Sequence, residues 1–426
     1  MRVCLSFVGT GELKPARYTC CEQVYDSSVV QAALAEFFRP EKIILFVTEK
    51  ARRENLDTVR SALHEHPCTV TVIDIPAGKT EQEIWEIFSI ISHTTQPDDE
   101  ILLDITHAFR FLPFLAFITA LYLREISEGT LSGIVYGAYE AGEEITDDTG
   151  LKRRTAPVFN LTSYITLMDW ILAVRSFVTF ADARGIESMI AAACTNKASL
   201  TDAIIPDQSL EDVQTLAQSL HRFTASVQLA QPADSMASAR QVMRELARTR
   251  LKENAIPPPV MPVLEKIEVI SPFAETGSGS CWDTIQKQQA LITYQVEKGL
   301  YIQAAEMARE WMVSAIICFL GLGAYLYNET VRTEAEDTLT SLYHHAHQKG
   351  NKKITPHLRR MEKIAGWERL GAIWRAITIT RNDLAHCGMR ETHDDALTLE
   401  KRIVQIPDQL TEFWEILRAH HSQMKK

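Results

Sequence analysis

Three clusters in the sequence have the residue types and spacing for chemistry on a phosphate. Toward the C-terminus, Arg381-Asn382-Asp383-Leu384-Ala385-His386 sets a permanent cation, an amide and an imidazole close together. An imidazole titrates nearest neutrality and so can move protons. The planar guanidinium matches phosphate oxygens and steadies developing negative charge. RNA carries its own nucleophile, the 2′-hydroxyl, so this set suits transesterification with no metal required. Arg381 and His386 are then the catalytic pair, and Asn382 holds the scissile phosphate or orients His386. On a regular helix Arg381 and His386 point about 140° apart, so one copy does not aim both at one bond. Two copies meeting across a two-fold axis do, and a homodimer is expected. The same residues also suit plain roles: Arg381 pairing with Asp383 or another carboxylate, and His386 ending a helix before Gly388.

The other two clusters lie near the N-terminus. Gly9-Thr10-Gly11 follows an apolar run, and its glycines allow a sharp turn with N–H groups facing an anion. Lys14 takes the position of the last glycine in G-x-G-x-x-G, so a dinucleotide fingerprint is absent. Asp104-Ile105-Thr106-His107-Ala108-Phe109-Arg110 ends another apolar run and opens a helix at about Phe109. Helix N-termini favour negative charge, and Thr106, His107 and Arg110 add donors there. Gly137, within Tyr136-Gly137-Ala138-Tyr139, permits close approach at a third strand end. Each piece alone also fits an ordinary turn, a cap or a solvated charge; together they make an anion site.

The elements that must position these residues are legible as apolar periodicity. Runs rich in β-branched residues at Val3–Val8, Ile43–Thr48, Val70–Ile75, Ile101–Ile105 and Gly133–Tyr139 alternate with helical-period stretches at Ser27–Phe38, Ala51–His64, Thr80–Ser92 and Phe109–Ser127. Strands this apolar are buried on both faces, which predicts a Rossmann-like α/β domain: a parallel sheet with helices on each side. Ligands bind such sheets beyond the carboxyl ends of the strands. From Leu161 onward the pattern is helical, with Thr162 or Ser163 as N-cap and a core stripe of Trp170, Val174 and Phe177. Pro257-Pro258-Pro259 and the Gly/Ser run at Thr276–Ser280 mark a linker or loop before an all-α C-terminal part.

Composition limits the partners. The chain has 426 residues, and Lys+Arg 44 against Asp+Glu 55 gives a formal net charge of -11. That excludes a general nucleic-acid coat, which needs cationic surface, but leaves room for a local basic site. One exists between Lys349 and Arg381, where Lys349, Lys352, Lys353, Arg359, Arg360, Lys363, Arg369 and Arg375 are opposed only by Glu362 and Glu368. Cysteines without C-x-x-C or framework spacing read as free thiols of a reducing cytoplasm. The N-terminus enters a strand-like run rather than a signal peptide. Phe111–Leu123 is shorter than the roughly 20 residues of a membrane span, and Trp311–Tyr327 reads as a buried helix. His344-His345-Ala346-His347 lacks a Cys or carboxylate to complete a ligand set, so no metal is expected.

These motifs resemble a known family. Ser6–Gly11, Asp104–Arg110 and Tyr136–Ala138 resemble the CARF domain, the CRISPR-associated Rossmann fold. Pro157–Thr162 followed by Asp169-Trp170 resembles the segment after that domain in one branch of the family. Arg381–His386 is similar to the R-x4-6-H motif of HEPN ribonucleases, and the order of the two resembles the accessory ribonucleases of type III CRISPR systems. The resemblance implies a CARF sensor at 1–160, a helical connector at 161–285 and a HEPN ribonuclease domain at 286–426. It implies an activator, cyclic oligoadenylate, with tetra-adenylate favoured over hexa-adenylate, bound through Gly9, Thr10, Gly11, Thr106, His107, Arg110 and Gly137. It further implies metal-independent cleavage of single-stranded RNA by a cytoplasmic homodimer through Arg381, Asn382 and His386, and it allows slow breakdown of the ring by the sensor. A ligand-gated regulator whose helical half binds RNA or protein without cutting is the other reading.

Overall fold

The structure, a computed structural model, describes residues 1–96, 98–107, 114–115, 117–119, 121–122, 130–146, 152–195, 210–251, 261–274, 279–347 and 357–424. They fall into two compact units, one of Met1–Asp169 and one that begins at Trp170 and runs to the C-terminal helix.

In the first unit, nine strands form one sheet. They are β1 (Arg2–Phe7), β2 (Ala16–Cys20), β3 (Gln23–Ser27), β4 (Lys42–Val47), β5 (Thr69–Asp74), β6 (Glu100–Asp104), β7 (Thr130–Gly137), β8 (Glu144–Thr146) and β9 (Lys152–Asn160), in the order β3-β2-β9-β7-β6-β1-β4-β5 with β8 on β9. The centre β7-β6-β1-β4-β5 is parallel, as the apolar runs predict. The sheet as a whole is mixed, which corrects the all-parallel expectation: β3 on β2, β9 on β7 and β8 on β9 are antiparallel. These added strands are short or charged and bury few residues, so they lack the continuous apolar run that betrays a central strand. β9 also contains Pro157, which cannot donate to a ladder. It sits where pairing passes from β8, against Lys152–Arg154, to β7, against Val158–Asn160.

Alternation along β1 divides the core. Val3, Leu5 and Phe7 pack with Ile87 and Ile91 of α4 (Glu81–Ser92) on one face. Cys4 and Val8 pack with α1 (Val30–Phe38) and with Leu56, Val59 and Leu63 of α3 (Leu56–Leu63) on the other. Helices on both faces agree with the sequence. The helix expected over Ala51–His64 is instead two, α2 (Glu49–Glu54) and α3, broken at Asn55. That side chain donates to the carbonyls of Gly9 and Gly11, both at 2.8 Å. The break thus has a use: it turns an amide toward the loop after β1.

α5 (Thr162–Phe180) follows β9. Thr162 uses its hydroxyl to accept from the Ile134 amide at 2.9 Å, while Asn160 accepts from the Thr162 amide at 2.9 Å. The predicted core stripe is buried, with Trp170, Val174 and Phe177 at 2% exposure or less. The second unit continues with α6 (Arg184–Thr195), α7 (Leu210–Gln228), α8 (Pro232–Leu251), α9 (Cys281–Glu297), α10 (Tyr301–Phe319), α11 (Glu329–Ala346), α12 (Trp367–Ala385), α13 (Ala396–Val404) and α14 (Ile406–Met424). Phe177, Phe223, Phe273 and Tyr294 form one aromatic cluster, and buried Gln295 donates to the Val227 carbonyl at 2.9 Å. α9 crosses the expected boundary between the connector, ending at 285, and the last domain, starting at 286, without a break.

Two features of this unit were not visible in the sequence. Cys281 and Cys318 form a disulfide, Cα atoms 5.8 Å apart, which corrects the reading of all thiols as free. Cys281 starts α9 and Cys318 lies one residue before the end of α10, and the turn at Lys298–Leu300 folds these helices back so that residues distant in sequence meet. In α12, Gly371 lies against the backbone of α11: a Cβ there would stand 2.6 Å from the Tyr343 nitrogen and 2.8 Å from its Cα. Gly371→Ala is expected to destabilise the protein by about 1–3 kcal/mol, although alanine by itself favours a helix by about 1 kcal/mol over glycine. Urea denaturation measures it, and an unchanged or raised midpoint contradicts the close approach. Among the described residues no helix is long and apolar enough to cross a membrane.

Candidate functional site

The sheet reverses its winding direction at β1, whose neighbours are β4 on one side and β6 on the other. Such switch points leave a crevice beyond the strand ends. Here a cavity of about 370 Å³ opens, and residues from three strand ends line it: Gly9 and Gly11 after β1, Thr106 and His107 after β6, and Gly137 ending β7. Five of the residues singled out in the sequence are thus brought together. Thr10 is not part of this lining. Arg110 and the expected helix start near Phe109 lie outside the described residues, whereas residues 114–115, 117–119 and 121–122 of that helix are described and helical.

The glycines act through space rather than through unusual backbone angles. Neither Gly9 nor Gly11 has a positive φ. A Cβ on Gly9 would stand 3.1 Å from the His107 Cβ, so the imidazole packs directly on the β1 loop. A Cβ on Gly137 would meet Val30 Cγ2 at 2.8 Å and the Thr106 hydroxyl at 3.3 Å. That hydroxyl accepts from the Gly137 amide at 2.8 Å, which ties β7 to the β6 loop. Gly137→Ala is expected to push Thr106 out of this bond and to weaken ligand binding at least about tenfold, since one buried hydrogen bond is worth roughly 1 kcal/mol and overpacking adds 1–3 kcal/mol. A calorimetric titration checks this; wild-type affinity in the variant would contradict it.

The cavity floor is a polar network that sequence reasoning missed. Asp104 is fully buried at 0% exposure. Its Oδ1 accepts from the Thr106 hydroxyl at 2.6 Å and the Thr106 amide at 2.9 Å; its Oδ2 accepts from the Ser6 hydroxyl at 2.6 Å. Gln31 of α1 donates to Ser6 Oγ at 3.0 Å and to the Phe7 carbonyl at 3.1 Å. A buried carboxylate is costly unless fully hydrogen-bonded, and this one draws its donors from β1 and the β6 loop. The signal in the sequence was Ser6 and Asp104 as the polar residues inside otherwise apolar strands. Desolvation together with the Asp104 charge pushes the Cys4 thiol and the Tyr18 hydroxyl up, so both stay neutral. Burial moves His107 the other way, below its ordinary value, and Asp104 opposes that only in part.

The second cluster lies at the end of α12. Arg381 and Asn382 occupy its last turns, and His386 caps it. Cys387 and Gly388 then adopt positive φ, 53° and 72°, and stop the helix. His386 is exposed and its side chain has no partner among the described residues. Arg381 Nε donates to Glu306 Oε2 of α10 at 2.9 Å, and Nη1 donates to Asn382 Oδ1 at 3.2 Å. The guanidinium is gripped along one side, and Nη2 is left without a partner among the described residues. Asp383 does not take Arg381; it faces Arg390 at 3.8 Å and Arg402 at 3.9 Å. Of the basic run, Lys349, Lys352 and Lys353 lie outside the described residues. Arg369 is held by Glu412 through two contacts, while Arg375 lies over the Tyr343 ring. The patch is thus partly neutralised. The His345 imidazole contacts Glu362, and no group of three or more His, Cys, Asp or Glu suited to a metal occurs among the described residues.

Comparison with known proteins places the N-terminal cluster within a matched range. Residues 3–140 match the family described as CRISPR system endoribonuclease Csx1, CARF domain. Residues 166–271 match CRISPR-associated protein MJ1674, second domain. The CRISPR-associated protein MJ1674 of Methanocaldococcus jannaschii is 29% identical over 119 residues, which cover 27% of this chain and 18% of that protein. The chain thus aligns with under a fifth of the curated relative it matches. It is a CRISPR-associated protein with a CARF domain, and the whole cavity falls within the CARF match. The α12 cluster lies beyond both matched ranges.

Proposed function

We propose that this CRISPR-associated CARF protein is an endoribonuclease of type III CRISPR defence, switched on by cyclic oligoadenylate and acting on single-stranded RNA as a homodimer. The observation that carries the reading is the cavity at the β1/β6 switch point, lined from three strand ends inside the CARF match. Backbone and hydroxyl donors there suit a phosphodiester, and Tyr136 and Tyr139 in the same lining offer aromatic faces to an adenine. A cavity of about 370 Å³ takes part of a four-nucleotide ring, so two protomers share one ring. Tetra-adenylate is the favoured activator.

The cutting site is the end of α12. His386, exposed where the helix stops, handles the proton of the attacking 2′-hydroxyl or of the leaving oxygen. Arg381 turns its unpaired Nη2 edge to the phosphate as negative charge develops. Asn382 accepts from Arg381 through Oδ1 and keeps its Nδ2 donors for the phosphate or for His386. The ring shifts the equilibrium only if it binds the active dimer better than the resting one. One observation favours the non-cutting alternative: Arg381 is already engaged by Glu306, as a purely structural arginine would be.

Labelled single-stranded RNA incubated with the protein, with and without cyclic tetra- or hexa-adenylate, tests the proposal. Ring-dependent cleavage that survives EDTA is the expected result. Intact RNA with both rings removes the ribonuclease reading, and retention of the RNA without cleavage supports the alternative.

A further inference from the structure

The charges that the described residues place around the CARF cavity do not by themselves favour an anion. Among the described residues, its lining carries the carboxylates of Glu12 and Glu140 against the single ammonium of Lys14, with Tyr18, Tyr136 and Tyr139 the other titratable groups besides His107. Beneath it lies Asp104, buried and ionisable, hydrogen-bonded only as an acceptor. Arg154, near the rim, is spoken for: its Nε donates to the Gly142 carbonyl at 2.7 Å and its Nη1 faces Glu140 at 3.8 Å. Among the described residues this balance opposes a phosphodiester, and a positive charge arising inside the cavity would offset it.

His107 is placed to supply that charge. It lines the cavity, packs against Gly9, and holds its Nε2 buried with no hydrogen-bond partner among the described residues. A buried polar atom left unpartnered at a ligand cavity calls for an explanation. We infer that the cavity takes up its anionic ligand together with one proton, which His107 receives, so that the counter-charge exists only while the ligand is bound. This rests on the reading of the cavity as a cyclic oligoadenylate site.

The physical sequence is simple. In the empty cavity, burial holds the imidazole in its neutral form. An entering phosphodiester brings a negative charge beside the ring, which favours imidazolium; excluding water strengthens that attraction, and the attraction outweighs the added desolvation of the ring. Asp104 lies on the same side of the balance, because its charge also favours protonated His107. The proton comes from solvent onto the unprotonated ring nitrogen; the phosphodiester stays anionic throughout. Linkage then fixes the sign: ligand binding that takes up a proton strengthens as pH falls and weakens as pH rises, by at most about tenfold in Kd per pH unit for one proton.

Calorimetric titration of the full chain with cyclic tetra-adenylate, and separately with cyclic hexa-adenylate, tests this in buffers of differing ionisation enthalpy near neutral pH. The expected result is an observed heat that varies with buffer, its slope giving net uptake of up to one proton per bound cavity. The Kd should rise between pH 6 and 8, and His107→Gln should bind more weakly with neither dependence. The wild-type buffer series stands by itself if that variant fails to fold. Binding without proton uptake in the wild type, or uptake that persists in His107→Gln, overturns the inference while leaving the ring site intact. Absence of binding by either ring at every pH removes the ring reading itself.

Discussion

His386→Ala is expected to lower ring-stimulated RNA cleavage by about 10²–10⁴-fold, the usual contribution of a positioned proton-transfer group. Arg381→Ala should cost about 10²–10³-fold through lost stabilisation of the phosphorane. The structure separates this effect from folding. His386 is exposed beyond the last turn of α12, and the bonds that stop the helix are made by backbone, His386 N to the Asn382 carbonyl at 3.0 Å and Met389 N to the His386 carbonyl at 2.8 Å. Alanine preserves both, so the unfolding temperature should stay within a degree or so of wild type. Initial rates at saturating cyclic tetra-adenylate provide the measurement, and a His386→Ala rate within threefold of wild type would sink the assignment. Arg381→Lys is the sharper companion. Lysine keeps the charge but lacks the planar fork that Glu306 and Asn382 hold, so it should behave nearly as alanine does.

The second large effect belongs to the cavity floor. Asp104→Asn changes one oxygen to an amide nitrogen, yet all three groups around the carboxylate donate to it: the Thr106 amide, the Thr106 hydroxyl and the Ser6 hydroxyl. Whichever way the asparagine turns, a donor meets a donor. Ser6 cannot readily reverse its role, because its oxygen already accepts from Gln31. Bonds to a charged acceptor contribute roughly 1.5–3 kcal/mol each, so a destabilisation of about 2–4 kcal/mol is expected. Ring affinity should fall at least about tenfold as Thr106 loses its anchor. A carboxylate beneath an anion site opposes the ligand electrostatically, so an Asp104→Asn variant that bound the ring more tightly, with unchanged stability, would mean that charge rather than geometry governs the floor. Urea denaturation and ring titration at a temperature well below unfolding decide between the two.

How much of this was legible in the sequence follows from what each residue does. Apolar runs marked β1, β4, β6 and β7 because strands inside the sheet bury both faces, and marked β5 although it lies at the edge and is only half-buried. The glycines and the Thr106-His107 pair at the ends of β1, β6 and β7 fell into one cavity because a parallel sheet lines up its carboxyl ends. Asn55 escaped notice. Its helical period is real on both sides, and only the tertiary position of Gly9 and Gly11 reveals why the helix breaks there. The β2–β3 hairpin was missed because only alternate residues of β2 are buried and its turn, at Cys21, takes a positive φ of 53° without a glycine. The Cys281–Cys318 pair depends on the hairpin of α9 and α10, which spacing alone does not encode. At α12 the motif was read from residue types, but the hold of Glu306 on Arg381 comes from another helix and had no local signature.

The strand order also dictates when this domain can finish folding. Both strands formed by the first 20 residues wait for distant partners: Ser6 on β1 meets Asp104 across 98 positions, and Ala16–Thr19 on β2 pairs with Arg154–Pro157. Contacts this non-local close late. On a ribosome, the β2–β3 ribbon emerges first and stays without its parallel neighbour until β9 is made. A nascent chain ending before residue 160 thus exposes a two-stranded edge with Ala16 and Tyr18 uncovered, a template for misplaced strand pairing. The cavity, framed by β1, β6 and β7, is assembled among the last parts of the unit, so any ligand it takes meets only a chain that has already closed its sheet.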